Sequence, residues 1–215
     1  MKTSTILLII LFPFLAFSQN KDNKNNNDDQ GIGIGIKAGL NYANITNASS
    51  INSSNQTGFL IGMFFSPRSK SIFSSRTELI YSRQGYNYAS NSVTGSVNLD
   101  YILLPQMMAI NITKFLQVQL GMQIAFLVNA KADSSSNSSK GSYSSVLDYC
   151  NKFDYGATGG VEVHPFKGTL IGARYNISFG DLYQNPAAYT GEQPAFVPTV
   201  NVKNNVLQIF AGYKF

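Results

Sequence analysis

The sequence predicts an all-β protein: an eight-stranded antiparallel up-and-down transmembrane β-barrel with long extracellular loops and short periplasmic turns. Three observations predict it. Apolar residues alternate with small or polar ones in stretch after stretch, long and short connections take turns along the chain, and the chain stops on an aromatic residue that keeps the alternation to its end.

The N-terminal segment is set aside from that fold. Met1, Lys2 and Thr3 lead into the apolar run Ile6 to Phe17, and Ala16-Phe17-Ser18 precedes Gln19, the pattern of a secretory signal peptide over residues 1–18. The run is roughly a dozen residues, short of the ~20 that cross a bilayer as a helix. No cysteine lies near the cleavage site to carry a lipid anchor. Residues 19–30 are Asn, Asp, Lys and Gln with nothing to bury, so a disordered periplasmic leader is expected. They lack the glycine and terminal Glu of a calcium loop.

Residues 31–215 form the expected barrel domain. The first strand begins near Ile32, with Ile32, Ile34, Ile36, Ala38, Leu40 and Tyr42 on one face and Gly31, Gly33, Gly35, Lys37, Gly39 and Asn41 on the other. Those glycines keep strand alternation and no strand-turn-helix context follows, so a nucleotide-binding loop is not expected. Further strands are expected at Gln56–Ser66, Ser71–Tyr88, Asn98–Asn111, Lys114–Lys131, Asn151–Pro165, Gly168–Gly180 and Lys203–Phe215. Eight is an even number, as bacterial barrels require. The fourth is apolar on both phases and contains Pro105, which cannot donate to a ladder, so a bulge or irregular pair is expected there.

Ser66–Lys70, Asn111–Lys114 and Pro165–Gly168 read as tight turns, and Ile45–Asn55, Ala89–Val97, Ala132–Cys150 and Asp181–Val202 as long polar loops. Phe65, Phe73, Phe115, Phe166 and Phe215 fall at the short-turn ends, and Tyr42, Tyr86, Tyr88, Tyr155 and Phe179 near the long loops. Two interfacial girdles are expected. The turns carry Arg68, Lys70, Lys114 and Lys167 without an acid, which suits phospholipid head groups.

A cation on the lipid face costs about 2–4 kcal/mol at mid-membrane, so the apolar phases face lipid. The polar phases then deliver Lys37, Arg76, Glu78, Asp154, Glu162 and Arg174 to the interior as a structural network, with Gln84, Gln117, Gln119, Gln123, Asn176, Gln208 and Lys214. An interior that full leaves no through-channel. Arg83 shares the phase of Leu79 and Tyr81 and should point outward near the head groups. The closing strand sets Leu207, Ile209, Ala211, Tyr213 and Phe215 on its lipid face, and Leu207, Ile209, Tyr213 and Phe215 are similar to the terminal signal that barrel-assembly machinery reads.

Composition narrows function. Only 13% of residues are charged, with no Trp, 18 Gly, 12 Tyr and 15 Phe, and the net charge of +5 shows no basic stripe for nucleic acid. The single Cys150 excludes an internal disulfide and a multi-thiolate metal site. No catalytic, cofactor-binding or metal-ligating residues are assigned. The one histidine, His164, lies at an inner turn, away from outer-leaflet lipid, and Asp154 and Glu162 are eight residues apart on one strand, about 26 Å, too far to act as a pair.

Several segments match a known family. Gly35-Ile-Lys-Ala-Gly-Leu-Asn-Tyr42, Glu78-Leu-Ile-Tyr-Ser-Arg-Gln-Gly85, Leu99-Asp-Tyr-Ile-Leu-Leu-Pro105, Gly172-Ala-Arg-Tyr-Asn176 and Gly212-Tyr-Lys-Phe215 resemble, in order and spacing, the PorT-like outer-membrane β-barrel proteins of Bacteroidetes-type bacteria. Leu103 departs from the pattern, in which an acid often stands two residues before the proline. The resemblance implies a small outer-membrane barrel; some members take part in protein secretion across that membrane. The expected role is therefore a non-enzymatic integral barrel in outer-membrane lipid, with a structural or protein-interaction function and secretion-system proteins among its candidate partners. Two alternatives stand beside it: a lipid A-modifying enzyme, and a soluble lipocalin-like barrel with its apolar phases around a pocket.

Overall fold

A computed structural model describes residues 32–46, 52–67, 72–90, 93–134, 146–184, 197–198 and 200–215. The expected signal peptide and leader, and Arg68 and Lys70, lie outside the described residues. The strands are β1 (Ile32–Thr46), β2 (Asn52–Pro67), β3 (Phe73–Ser90), β4 (Val93–Asn111), β5 (Leu116–Ser134), β6 (Phe153–Val163), β7 (Thr169–Ser178) and β8 (Lys203–Lys214). Each pairs antiparallel with its sequence neighbour, and β8 closes on β1, giving a ring with no open edge. The closure runs from Gly35↔Lys214 to Thr46↔Lys203, and the Phe215 amide donates to the Ile34 carbonyl at 2.9 Å, so the last residue is stitched into the wall.

The apolar phases face outward. Ile34, Ile36, Leu40, Leu120, Ile171 and Ile209 are all exposed, as are Leu207, Tyr213 and Phe215. Their polar strand neighbours Lys37, Gln119, Arg174 and Gln208 are buried. A lipocalin requires the reverse, and that alternative fails on this parity.

Two features depart from the expectations, and a third, the irregular fourth strand, agrees with them. First, Tyr86 and Tyr88 do not join an interfacial girdle: they point into the lumen, 0% and 3% exposed, because they share the parity of Glu78 and Gln84. Tyr42, Tyr155 and Phe179 are exposed at that end, as are Phe65, Phe73, Phe115, Phe166 and Phe215 at the other. Second, the segment 89–97 is not a long loop. The β3–β4 ladder continues through Ala89↔Thr94 to Ser90↔Val93, leaving only 91–92 between the strands. Apolar alternation disappears where a strand leaves lipid, since neither face then needs to be apolar, while the backbone ladder goes on. For the same reason β1 and β2 are joined by 47–51 alone, and β5 extends to Ser134.

Third, β4 carries two distinct irregularities. Its ladder with β3 stops at Thr77↔Gln106 and resumes in the same register at Ile80↔Leu103, flanking Pro105, which has no N–H to give. Its ladder with β5 shifts between Asp100↔Asn129 and Tyr101↔Leu127, leaving Val128 as the extra residue of a bulge. The bulge moves Ala130 and Ala132 into the lumen after Ala125 and Leu127. β4 is apolar on both phases because one meets lipid and the other, Val97, Leu99, Tyr101, Leu103 and Met107, is buried inside.

Candidate functional site in the barrel lumen

The lumen is filled in layers, beginning with a charged layer in the half near the termini. Lys37 from β1, Arg76 and Glu78 from β3, Glu162 from β6 and Arg174 from β7 converge there, each no more than 2% exposed. Glu78 is the hub. Arg174 grips it through both terminal nitrogens at 2.7 and 3.0 Å, the bidentate geometry that suits guanidinium to carboxylate, and the Lys37 ammonium donates to the same carboxylate at 2.5 Å. Arg76 pairs with Glu162 at 2.5 Å and lies 4.0 Å from Glu78, which joins the two acids through one cation. Gln119 accepts from Arg174 and Gln117 from Arg76; Gln119 in turn donates to Gln117, and Gln117 to Asn111. Charges taken out of water survive only when paired and hydrogen-bonded this densely.

Two inward rings hold this layer in place. The Arg76 guanidinium stacks 4.6 Å from the centre of the Phe64 ring, and Lys37 and Arg174 approach the Phe210 ring at 4.3 and 5.2 Å. Each ring lies over a cross-strand glycine, Gly35 opposite Phe64 and Gly172 opposite Phe210, where a Cβ would run into ring carbons. Gly35 of β1 and Gly172 of β7 thus make room for aromatic rings, and the rings hold cations. Sequence reasoning assigned the charges but missed the rings, although Phe64 and Phe210 sit at parities whose neighbours were already placed inside.

Above the charges lies an amide layer. Asn41 donates to the Ser82 hydroxyl at 2.9 Å and to the carbonyls of Phe59 and Arg83 at 2.9 and 2.7 Å. This is where the β2–β3 ladder breaks, between Asn55↔Tyr86 and Leu60↔Ser82, so Asn41 takes up carbonyls that the break leaves available. Gln208 donates to Asn41, Gln84 to Ser82, and Asn204 to Gln84.

The far half of the lumen is apolar. Ile45, Tyr86, Tyr88, Val97, Leu99 and Tyr101 on the strands pack with Val146, Cys150, Leu182, Tyr183, Val197 and Val202 from the connections beyond β5 and β7. The Tyr86 and Tyr183 hydroxyls share a hydrogen bond of 2.6 Å, Cys150 bridges to Tyr183, and the Val146 amide donates to Ala130. Burial pushes the Cys150 thiol up to about 12, so it stays protonated and unreactive at neutral pH.

Of two further charges, Asp154 departs from the expected network and Arg83 points outward as expected. Asp154 does not enter the network of Lys37, Arg76, Glu78, Glu162 and Arg174. Eight residues up β6 from Glu162, its carboxylate accepts from the amides of Tyr155 and Gly180 at 2.7 and 3.1 Å, where strand geometry keeps it from the arginines. Arg83 points outward, and its fork binds buried Asp100 at 2.7 and 3.1 Å; Asn129 donates to the same carboxylate. His164 stands at the β6–β7 turn with Nε2 3.8 Å from Glu162, and burial lowers its pKa, aided by Arg76 and Lys214 and opposed by Glu162. Among the described residues, no three of His, Cys, Asp and Glu are grouped to hold a metal ion.

The attachment invasion locus protein Ail of Yersinia pestis is similar over 86% of this chain and 99% of its own, with a TM-score of 0.50 at 16% identity. Neisserial surface protein A is similar over 86% and 100%, with a TM-score of 0.52 at 15% identity. At such identities the likeness is one of fold. No curated protein matches the sequence. A family model described as outer membrane protein beta-barrel domain matches residues 17–184, through the whole of β7. Outward apolar phases, a closed ring of eight strands and this match agree: the chain belongs to the outer membrane protein β-barrel domain family, an integral barrel seated in the lipid of the bacterial outer membrane.

Proposed function

We propose that this barrel is non-enzymatic and works by holding another protein at its extracellular end, in keeping with its resemblance to PorT-like proteins and to a role in protein secretion. One observation carries the reading: the lumen is occupied from one half to the other, by charge pairs near the periplasm and by an apolar plug beyond, which leaves the ends of the barrel, the taller outer rim foremost, to meet a protein partner. Length supports it too. A tilted strand needs about 9–11 residues to cross the membrane, and β6 and β7 have 11 and 10, whereas β3, β4 and β5 have 18, 19 and 19 and so stand above it as a wall.

A lipid A-modifying role is disfavoured by the position of His164 at the periplasmic turn and by the protonated, buried Cys150. Affinity capture from native membranes after mild detergent extraction, with lipid A mass profiles of a deletion strain, tests the proposal. One stable partner with unaltered lipid A supports it, and changed acylation defeats it.

Leu207, Ile209, Tyr213 and Phe215 are proposed as the segment read by the barrel-assembly machinery. Deleting Phe215 should lower the amount reaching the outer membrane several-fold while the same variant, refolded in detergent, keeps its heat-modifiable migration. Equal loss in both settings would assign Phe215 to stability alone.

A further inference from the structure

At the periplasmic end, the turns 112–115 and 164–168 are tied by the His164 amide donating to the Phe115 carbonyl at 2.7 Å. Between them lies a depression of about 370 Å³ lined by Lys114, Phe115, His164, Pro165, Phe166, Lys167 and Gly168. That size is at the lower end of small-molecule sites. Gly168 adopts φ +81°, which turns the chain back into β7 and keeps Lys167 at the tip. Lys114 and Lys167 are exposed, no Asp or Glu lines the depression, and Glu162, 3.8 Å from His164, is fully buried and already engaged by Arg76.

The level of this basin relative to the bilayer is set by its own rings. Phe115 and Phe166 are 61% and 77% exposed, and the outward residues that follow or precede them in the strands, Leu116, Val163 and Ile171, are exposed and apolar. The aromatic rings therefore lie at the boundary of the hydrocarbon and the lysines immediately beyond it, where lipid phosphates reside. We propose that this basin is a binding site for the phosphodiester head group of an anionic phospholipid of the periplasmic leaflet, with Lys114 and Lys167 as the charged contacts and Phe115 and Phe166 against the acyl boundary. An acidic peptide offers the same charge but no acyl chains for the two rings, and a free phosphate leaves the rings without purpose.

The test uses the full barrel in nanodiscs of phosphatidylcholine containing a minority of phosphatidylglycerol, with the lipids retained on release read by native mass spectrometry. Wild type should retain phosphatidylglycerol above its bulk proportion, and Lys114→Gln with Lys167→Gln should reduce that enrichment by about fivefold for each lysine. Both lysines are exposed, so the variants should keep heat-modifiable migration. The control pair Lys131→Gln and Lys152→Gln, exposed at the opposite end, should leave the enrichment unchanged. Absence of enrichment in wild type, equal enrichment in the Lys114 and Lys167 variant, or equal loss in the control pair would overturn the site. Displacement of the lipid by inorganic phosphate or by a glutamate-rich peptide would overturn its assignment to a lipid.

Discussion

Single residues set the energetics of the charged layer, and Glu78 bears most of it. Two cations depend on this carboxylate at 2.5–3.0 Å and a third lies 4.0 Å away. Glu78→Ala should cost about 3–5 kcal/mol, most of it from leaving Lys37 and Arg174 buried without an anion. Urea titration of the barrel in lipid vesicles measures it. Lys37→Met, Arg174→Met and Glu78→Leu combined should be less destabilised than Glu78→Ala alone, because an apolar replacement removes the unpaired charges together with their partner. A triple variant worse than the single one would mean that the ion pairs contribute net stability.

Cys150 reports at the same scale. Its thiol, shifted by burial from 9.0 to about 12, is protonated in the folded protein where an unfolded chain would ionise. The folded state then holds a proton that the unfolded state releases, so this group's contribution is complete below about pH 9 and declines as pH rises towards 12. Maleimide should label Cys150 slowly in the folded barrel at neutral pH and rapidly after heat denaturation. Rapid labelling of the folded form would show that Val146–Cys150 does not stay seated on the lumen.

At the scale of elements, the bulge at Val128 decides which residues of β5 face in. Side chains on a strand alternate, so the extra residue exchanges the faces of everything beyond it and brings Ala130 and Ala132 against the plug. Deleting Val128 should remove the bulge and leave the facing intact, because Leu127, Asn129 and Ala130 then alternate in, out and in. The expected readout is Cys150 labelling as slow as in the unaltered barrel. Faster labelling would show that the bulge itself, beyond the alternation it corrects, holds the plug. β4 shows a second device, in which Pro105 interrupts one ladder without shifting its register, so the strand stays closed while giving up backbone bonds at one place.

For the whole molecule, the decisive property is that hydrocarbon surrounds the barrel and polar groups fill it. Spin labels at Ile34, Leu120, Ile171 and Ile209 should be accessible to oxygen, which concentrates in acyl chains, and shielded from polar relaxation agents. Labels at Gln119 and Arg174 should be immobile and shielded from both. Mobile, water-exposed labels at Gln119 and Arg174 would contradict the occupied lumen.

Parity made much of this legible in the sequence. Strand number, the outward phases of β1, β5, β6, β7 and β8, the closure on a terminal aromatic and the inward placement of Lys37, Glu78 and Arg174 all follow from a period of two and from the cost of charge in lipid. Parity also placed Tyr86 with Glu78, yet its aromatic character and its nearness to an expected loop argued for the surface. What only the tertiary structure decided is everything that depends on distance between strands: that Glu78 rather than Glu162 is the hub, that Asp154 lies beyond reach of either arginine, and that Phe64 and Phe210 cover glycines. It also decided where strands end, since above the membrane the ladder is held by backbone bonds that leave no mark in side-chain pattern. A sequence carries alternation because each residue meets lipid or lumen locally, whereas pairing across the lumen depends on the shear of the closed ring, which no single strand encodes.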